Sequence, residues 1–169
     1  MKVLVTGATG RTGQAIVKKF AQSRKEVIIF NRSKSDIFKD LKNVIQINGD
    51  LKNISSFERA IKKSDVIYHI PPNMNVDEIV IGKNVIELAK KYNLSHLVYH
   101  SVLFPNLHNM THHWNKLFVE EAIIESGLPY TILQPSSYMH NTLNDRINII
   151  EKNTHKITFS INSKVNLVS

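Results

Sequence analysis

A glycine loop set between a strand and a helix, close to the start of the chain, restricts the fold more than any other feature. Lys2–Thr6 is short, apolar and rich in β-branched residues, and Thr6-Gly7-Ala8-Thr9-Gly10-Arg11-Thr12-Gly13 follows it directly. Beyond the loop, Ile16 with Phe20 and Val17 with Ala21 stand four residues apart, the spacing of one helix face. In that setting each glycine has its own task. The first lets the chain turn sharply, the second lets backbone approach a pyrophosphate, and the third allows close helix–strand packing. The helix start then offers unpaired N–H groups and a positive dipole end to phosphates. Glycines gather in any tight turn, so the spacing alone is weak; a strand before and a helix after are the context that gives it meaning.

The rest of the chain repeats the strand–helix alternation. Lys2–Thr6, Glu26–Phe30, Val44–Asn48, Val66–Ile70, His96–Val102 and Tyr130–Gln134 read as strands, each flanked by Gly, Pro, Asn or Asp. Helices are expected between them. Ser55-Ser56-Phe57-Glu58 is a capping-box pattern that opens the third helix. Asp77-Glu78 start the fourth and Lys90-Lys91 end it, in accord with the helix dipole. In the fifth, Trp114, Phe118 and Ala122 align, with Leu117 and Ile124 a heptad apart. Such alternation predicts an α/β fold, a doubly wound parallel sheet of the Rossmann type with helices on both faces. Residues 1–169 form one NAD(P)-binding domain in this reading. Asn144–Lys152 reads as one more helix, and Ile157–Ser169 as an edge strand or small hairpin.

Composition narrows the function classes. A chain of 169 residues can bury a sizeable core without staples, and the lack of cysteine excludes disulfides, thiolate zinc sites and iron–sulfur clusters. The N-terminus reaches glycine after three apolar residues, too short for a signal-peptide core. No run approaches the roughly 18 apolar residues of a membrane span. The expectation is a cytoplasmic protein. Its net charge of +8 lies wholly in residues 1–91, which hold seventeen basic and nine acidic side chains. The lysines come in pairs on helix-like segments, not in a dense run, which fits a solvated surface or a small anionic ligand better than specific nucleic acid binding.

At the end of the second strand, enzymes that prefer NAD place Asp or Glu to hold the ribose 2′-hydroxyl. This chain has Asn31-Arg32-Ser33-Lys34 there, with Arg11 in the glycine loop. Forked, permanently charged guanidinium groups suit a 2′-phosphate, so NADP(H) is preferred over NAD(H) in this reading. Turn decoration is the alternative for Arg32 and Lys34.

Taken together, residues 5–13, Gly49-Asp50-Leu51, Tyr99-His100-Ser101-Val102, His112-His113-Trp114-Asn115-Lys116 with Val119-Glu120-Glu121, and Ser126–Pro135 resemble the NmrA-like branch of the atypical short-chain dehydrogenases/reductases. The likeness runs from Met1 to about Asn144. It implies pyrophosphate contacts at Gly7, Thr9, Gly10, Arg11, Thr12 and Gly13. It implies adenosine-ribose contacts at Asn31 and Arg32, adenine contacts at Asp50 and Leu51, and a lining stretch at Ile70-Pro71-Pro72. Read alone, Asp50 is equally a cap or turn residue.

The resemblance also sets the catalytic question. Typical short-chain dehydrogenases pair a Ser after the fifth strand with Tyr-x-x-x-Lys on the next helix. Ser101 matches the serine and Lys116 the lysine, which also holds the nicotinamide ribose; the tyrosine position is His112. Four-residue spacing keeps His112 and Lys116 on one helix face. An imidazole is an acid near neutral pH, but a nearby ammonium disfavours its protonated form. Alcohol/ketone chemistry is therefore in doubt, whereas a reduced quinone collects its proton from water. The family includes NAD(P)H-dependent quinone reductases and catalytically silent NAD(P)-sensing regulators acting through protein contacts, and both stay open here. Lys116 has a plainer reading as the i, i+4 partner of Glu120. His100, His108, His112, His113 and His140 cluster, but without a third-ligand spacing, so a wet, histidine-lined cleft mouth is expected and no metal. Because family members carry a C-terminal lobe after the segment resembling Gln134–Asn144, the resemblance implies that about 141–169 is a remnant or start of that substrate lobe. An incomplete lobe, an open cleft with weak or absent turnover, and self-association through an exposed apolar face are expected.

Overall fold

In the computed structural model, which describes every residue except 158, 159 and 169, six parallel strands form one sheet in the order β3-β2-β1-β4-β5-β6. The strands are β1 (Lys2–Thr6), β2 (Glu26–Asn31), β3 (Val44–Asn48), β4 (Val66–His69), β5 (His96–His100) and β6 (Tyr130–Leu133). The helices are α1 (Arg11–Gln22), α2 (Ile54–Ile61), α3 (Glu78–Lys91) and α4 (Thr111–Glu125). A 3₁₀ segment (Met139–Asp145) and α5 (Arg146–Lys152) follow. Two short strands, β7 (Ser137–Tyr138) and β8 (Leu167–Val168), pair in parallel beside the main sheet. The doubly wound Rossmann-type reading is correct. The tail strand expected over Ile157–Ser169 shrinks to β8, with 158, 159 and 169 outside the described residues.

Handedness explains the layering. From β1 to β3 the chain moves one way along the sheet, and from β4 to β6 it moves the other way. Right-handed crossovers must then place the early and late helices on opposite faces. Accordingly Val17 of α1 packs with Val3, Val5, Val27 and Ile29 on one face. Phe57 of α2, Val85 and Leu88 of α3 and Val119 and Ile123 of α4 pack with Leu4, Ile28, Phe30, Ile67, Leu97 and Tyr99 on the other. Strands apolar at every position are what a sheet covered on both faces needs.

Several local expectations are corrected. The connection from β2 to β3 holds no helix, only hydrogen-bonded turns over Asp36–Leu41 that plug the face with buried Phe38. The capping box gives way to Asn53, whose side chain accepts from the Ser56 N–H. The helix thus starts two residues earlier than the Ser55 box implies, and Ser56 Oγ donates to the Asp50 carbonyl at 2.9 Å. β4, β5 and β6 stop at His69, His100 and Leu133, short of the expected ends. In α4 the buried residues are His113, Val119, Glu120 and Ile123, while Phe118 and Ile124 are exposed. The Trp114–Phe118 pair does stack edge-to-face, at 5.6 Å, but at the margin of the core.

At the end of β4, His69 is fully enclosed, with Nδ1 2.7 Å from Thr6 Oγ1 and Nε2 without a partner among the described residues. Burial, and secondarily the Lys116 charge, push its imidazole down to about 3. The unfolded chain takes up that proton near 6.5 and the folded chain does not, so the stability is full above pH 6.5 and is lost as pH falls toward 3. Urea denaturation between pH 7 and pH 5 should show stability declining by up to about 1.4 kcal/mol per pH unit from this group, and His69→Gln should flatten that decline. An unchanged slope in the variant would contradict the assignment.

Candidate functional site

The reversal of strand order across the sheet falls between β1 and β4, and open α/β sheets bind ligands in the crevice this leaves at the carboxyl ends of their strands. A cavity of about 840 Å³ lies there. It is lined by Gly7, Thr9, Gly10, Arg11, Thr12 and Gly13 from the loop, Asn31 and Arg32 after β2, Asp50 and Leu51 after β3, and Pro71 after β4. All the residues expected for a dinucleotide therefore share one cavity, Lys116 excepted.

The loop is built for a close approach. Gly7 has φ +65°, and a Cβ there would sit 2.6 Å from the Ile70 carbonyl oxygen. On Gly13 a Cβ would stand 2.2 Å from the Gly7 oxygen, so any larger residue would lift α1 off the loop. A Cβ on Gly10 would meet only the Gly7 oxygen, at 3.4 Å; its other side is cavity. No side chain caps α1, and its first turn carries no acid, which leaves its leading N–H groups for an anion. Asn31 Nδ2 is buried without an acceptor among the described residues. A glycine cradle, an uncapped helix start and an orphaned donor at the rim fit a dinucleotide.

Two expected contacts carry additional duties. Arg11 donates to the Asn144 side chain (2.6 Å) and the His140 carbonyl (3.3 Å), tying the 3₁₀ segment to the loop. Asp50 is a turn residue as well as a lining one, since Oδ1 accepts the Lys52 N–H at 2.9 Å. Arg32 and Lys34 are exposed. Asp77 also lines the cavity and pairs with Lys52 at 3.0 Å.

A second cavity of about 800 Å³ shares Thr12, Ile70, Pro71, Asn73 and Asn141 with the first. Ser101, His112 and Lys116 line it, with His100, His113 and Tyr138. The histidine-lined mouth is thus present, except that His108 packs on Trp114 and His140 lines the first cavity. Among the described residues, no group of three His, Asp or Glu is arranged to hold a metal.

Lys116 does not pair with Glu120. Its ammonium lies 3.0 Å from Glu78 Oε1 and 5.5 Å from the Tyr99 ring centre, and Tyr99 donates to the same oxygen at 2.7 Å. Burial outweighs the carboxylate and lowers the ammonium pKa. Glu120 instead accepts from Ser101 Oγ and, with both oxygens, from Gln134 Nε2 at 2.9 and 3.0 Å. His112 is held below the usual histidine range by burial, then by His113 and Lys116. Glu120 was marked in the sequence as the helix neighbour of Lys116 and not as the acceptor of Ser101. Glu78 was legible only as a first-turn acid, and nothing in spacing showed that it reaches Lys116 from another helix.

The sequence profile of the NmrA-like family matches residues 1–164. The chain belongs to the NmrA-like family. Among curated relatives, an NmrA-like family domain-containing oxidoreductase of Aspergillus flavus is 27% identical over 82% of this chain and 48% of its own length. The mitochondrial 40 kDa subunit of the NADH-ubiquinone oxidoreductase of Neurospora crassa is 28% identical over 56% of this chain and 29% of its own. This NmrA-like chain thus spans less than half the length of either. An NADPH-dependent quinone oxidoreductase from Escherichia coli, crystallised with NADPH, shares the fold with TM-score 0.77 at 19% identity, over 89% of this chain and 54% of that one. Among the described residues no helix is long and apolar enough to cross a membrane.

The Glu78–Lys116 pair is almost fully enclosed, at 3% and 12% side-chain exposure. Removing one partner of such a pair leaves an uncompensated buried charge, so Glu78→Ala should cost about 3–5 kcal/mol in urea denaturation. Adding Lys116→Met should recover part of that loss. A double variant no more stable than Glu78→Ala alone would show that the two groups do not interact.

Proposed function

We propose that this chain binds NADP(H) in preference to NAD(H) and acts as an NAD(P)H-dependent reductase whose acceptors include quinones. The observation that carries the reading is the continuity of the two cavities: one lies on the glycine cradle, and the other opens beside it on Ser101, His112 and Lys116. A reduced nicotinamide, when bound, supplies a hydride. Gly7, Thr9, Gly10, Arg11, Thr12 and Gly13 would hold the pyrophosphate, Asn31 and Arg32 the adenosine ribose, Asp50, Leu51 and Pro71 the adenine side, and Lys116 the nicotinamide ribose. Ser101 and His112 would face the acceptor. A neutral His112 gives no ready proton, which suits an acceptor that collects its proton from water.

The same feature favours a second reading, a catalytically silent NADP(H)-responsive protein acting through protein contacts. Exposed Leu143, Ile147 and Ile150 on the segment tied to Arg11 supply an apolar surface for a partner or a second copy. Optical measurement of NADPH oxidation with a panel of quinones separates the two. Turnover near the ordinary enzymatic rate of about 10 s⁻¹ supports the reductase, and none with any acceptor leaves the sensor.

Cofactor choice rests on the end of β2, where Asn31 stands in place of a carboxylate and Arg32 follows. One charge-assisted hydrogen bond to a 2′-phosphate contributes about 1.5–3 kcal/mol, a preference for NADPH of about 10- to 150-fold. Arg32→Ala should remove most of it by weakening NADPH, with NADH affinity held within about threefold. Calorimetric titration of both proteins with both cofactors at one salt concentration measures this; equal wild-type affinities would refute it. Lys116→Ala should weaken NADPH but not adenosine 2′,5′-bisphosphate, because the lysine lies in the second cavity, away from Arg32 and Asp50. Equal losses for the two ligands would mean that the substitution had disturbed the fold or that Lys116 serves only as the partner of Glu78.

A further inference from the structure

We infer that Tyr138, oriented by His100, is the proton donor of the second cavity, in the role that His112 leaves vacant, and that the site therefore also takes aryl ketones and aldehydes. The inference rests on the reductase reading for its chemistry, but its geometry is independent of it. Tyr138, in β7, lines the second cavity together with His100 at the end of β5. Its hydroxyl is hydrogen-bonded to His100 Nε2, and the two rings lie nearly parallel, 6.3 Å apart. On the other side of the imidazole, Nδ1 lies 3.3 Å from the Tyr68 hydroxyl.

Of the two neutral tautomers that fit these contacts, the donor role of Tyr138 requires the one in which His100 Nδ1 accepts the Tyr68 O–H. The imidazole proton then sits on Nε2, which donates to the Tyr138 oxygen and frees the Tyr138 O–H to point into the cavity. His100 stays neutral, its pKa lowered by burial and by the Lys116 ammonium. The groups facing this pair are Tyr68 from β4, Lys116 from α4 and His140, which stacks on Tyr138 at 5.2 Å.

The proton step closes with water as the final proton source. As the carbonyl carbon receives the hydride that the dinucleotide supplies, the carbonyl π pair moves to oxygen. That oxygen takes the Tyr138 proton and becomes a hydroxyl. The tyrosinate left behind accepts the His100 Nε2–H and regains its proton from water after the alcohol departs. Tyr138 is the catalytic residue of this step and His100 a positioning residue.

The test has an equilibrium arm and a turnover arm, both on the full chain. The stretching frequency of ¹³C-carbonyl-labelled 2-acetylnaphthalene, bound without cofactor, is measured by infrared difference spectroscopy. It should be lower in the wild type than in Tyr138→Phe. The same frequency should rise in His100→Leu toward the Tyr138→Phe value, while His100→Gln, which keeps an N–H donor, should restore part of the wild-type shift. With NADPH, Tyr138→Phe should lower the ratio of ketone to quinone turnover by at least about 100-fold, the scale of a lost general acid. A carbonyl shift with no turnover would uphold the donor and sink the reductase reading. Turnover with an unchanged ratio would do the reverse. A ketone that fails to bind the wild type, or binds with the same frequency in both proteins, overturns the proposal.

Discussion

The reversal between β1 and β4 is the constraint on which the other features depend. Strands that fan out in opposite directions from one line carry their connections to opposite faces, so the carboxyl ends of β1 and β4 are left without a crossover above them. Into that gap run two tight passages of backbone. Gly7 turns against the Ile70 carbonyl, and Gly13 seats α1 against Gly7. Neither contact tolerates a side chain, so the loop and the end of β4 fix one another. Thr6 reinforces the same junction, because its hydroxyl accepts the Ile70 N–H at 3.1 Å while lying 2.7 Å from His69. The wall shared by the two cavities, Ile70-Pro71 with Thr12, hangs from this junction.

Beneath the second cavity the support is electrostatic. Two carboxylates, Glu78 on α3 and Glu120 on α4, are buried where isolated charges would cost several kcal/mol each. Each is instead saturated by donors from different elements: Lys116 and Tyr99 for Glu78, Ser101 and Gln134 for Glu120. Helices α3 and α4 come close enough for this because Gly82 faces Val119, where a Cβ would stand 2.6 Å away. The result is a lattice linking β5, α3, α4 and the end of β6. The positions of Ser101 and Lys116 are therefore set by packing before any ligand arrives, which is the condition for a preorganised site.

The parts of this arrangement that were legible in the sequence are those that depend on local chemistry. Glycine spacing, β-branched runs and flanking breakers are read within a few residues, and all six strands of the main sheet and the first cavity follow from them. The helix absent between β2 and β3 shows the limit. A segment with a burial requirement at one position, Phe38, is satisfied by a turn as well as by a helix. Asn53 displaced the expected cap for a similar reason, since both Asn53 and Ser55 are residues that cap a helix start, two positions apart. Pairings across the sheet were invisible. Lys116 has Glu120 one turn away on its own helix, yet its partner is Glu78, 38 residues earlier. The choice was made by Gln134 and Ser101, which claim Glu120. Tyr138 could have been marked only by its place just beyond the carboxyl end of a strand, the edge where ligands gather in such sheets.

Arg11 joins the two halves of the picture. A guanidinium has five N–H donors in a rigid fork, and two of its nitrogens are engaged with His140 and Asn144. The remaining donors face a cavity whose floor is the start of α1, so an anion lying there and the 3₁₀ segment draw on one side chain. The segment turns its polar residues, His140, Asn141 and Asn144, toward that cavity and leaves Met139 and Leu143 in solvent. Asp145 continues the chain of restraints. Its carboxylate accepts from Asn148 and from the Lys156 N–H and lies 3.0 Å from the His155 ring, and these donors hold its pKa down to about 2. At neutral pH the carboxylate is fully charged and keeps residues 155 and 156 folded back on the start of α5. Residues Ser163–Asn166 then line the second cavity. The C-terminal segment is thus attached at its near end to the glycine loop and at its far end to the wall of the neighbouring cavity, so Arg11 anchors a stretch of chain that reaches both cavities.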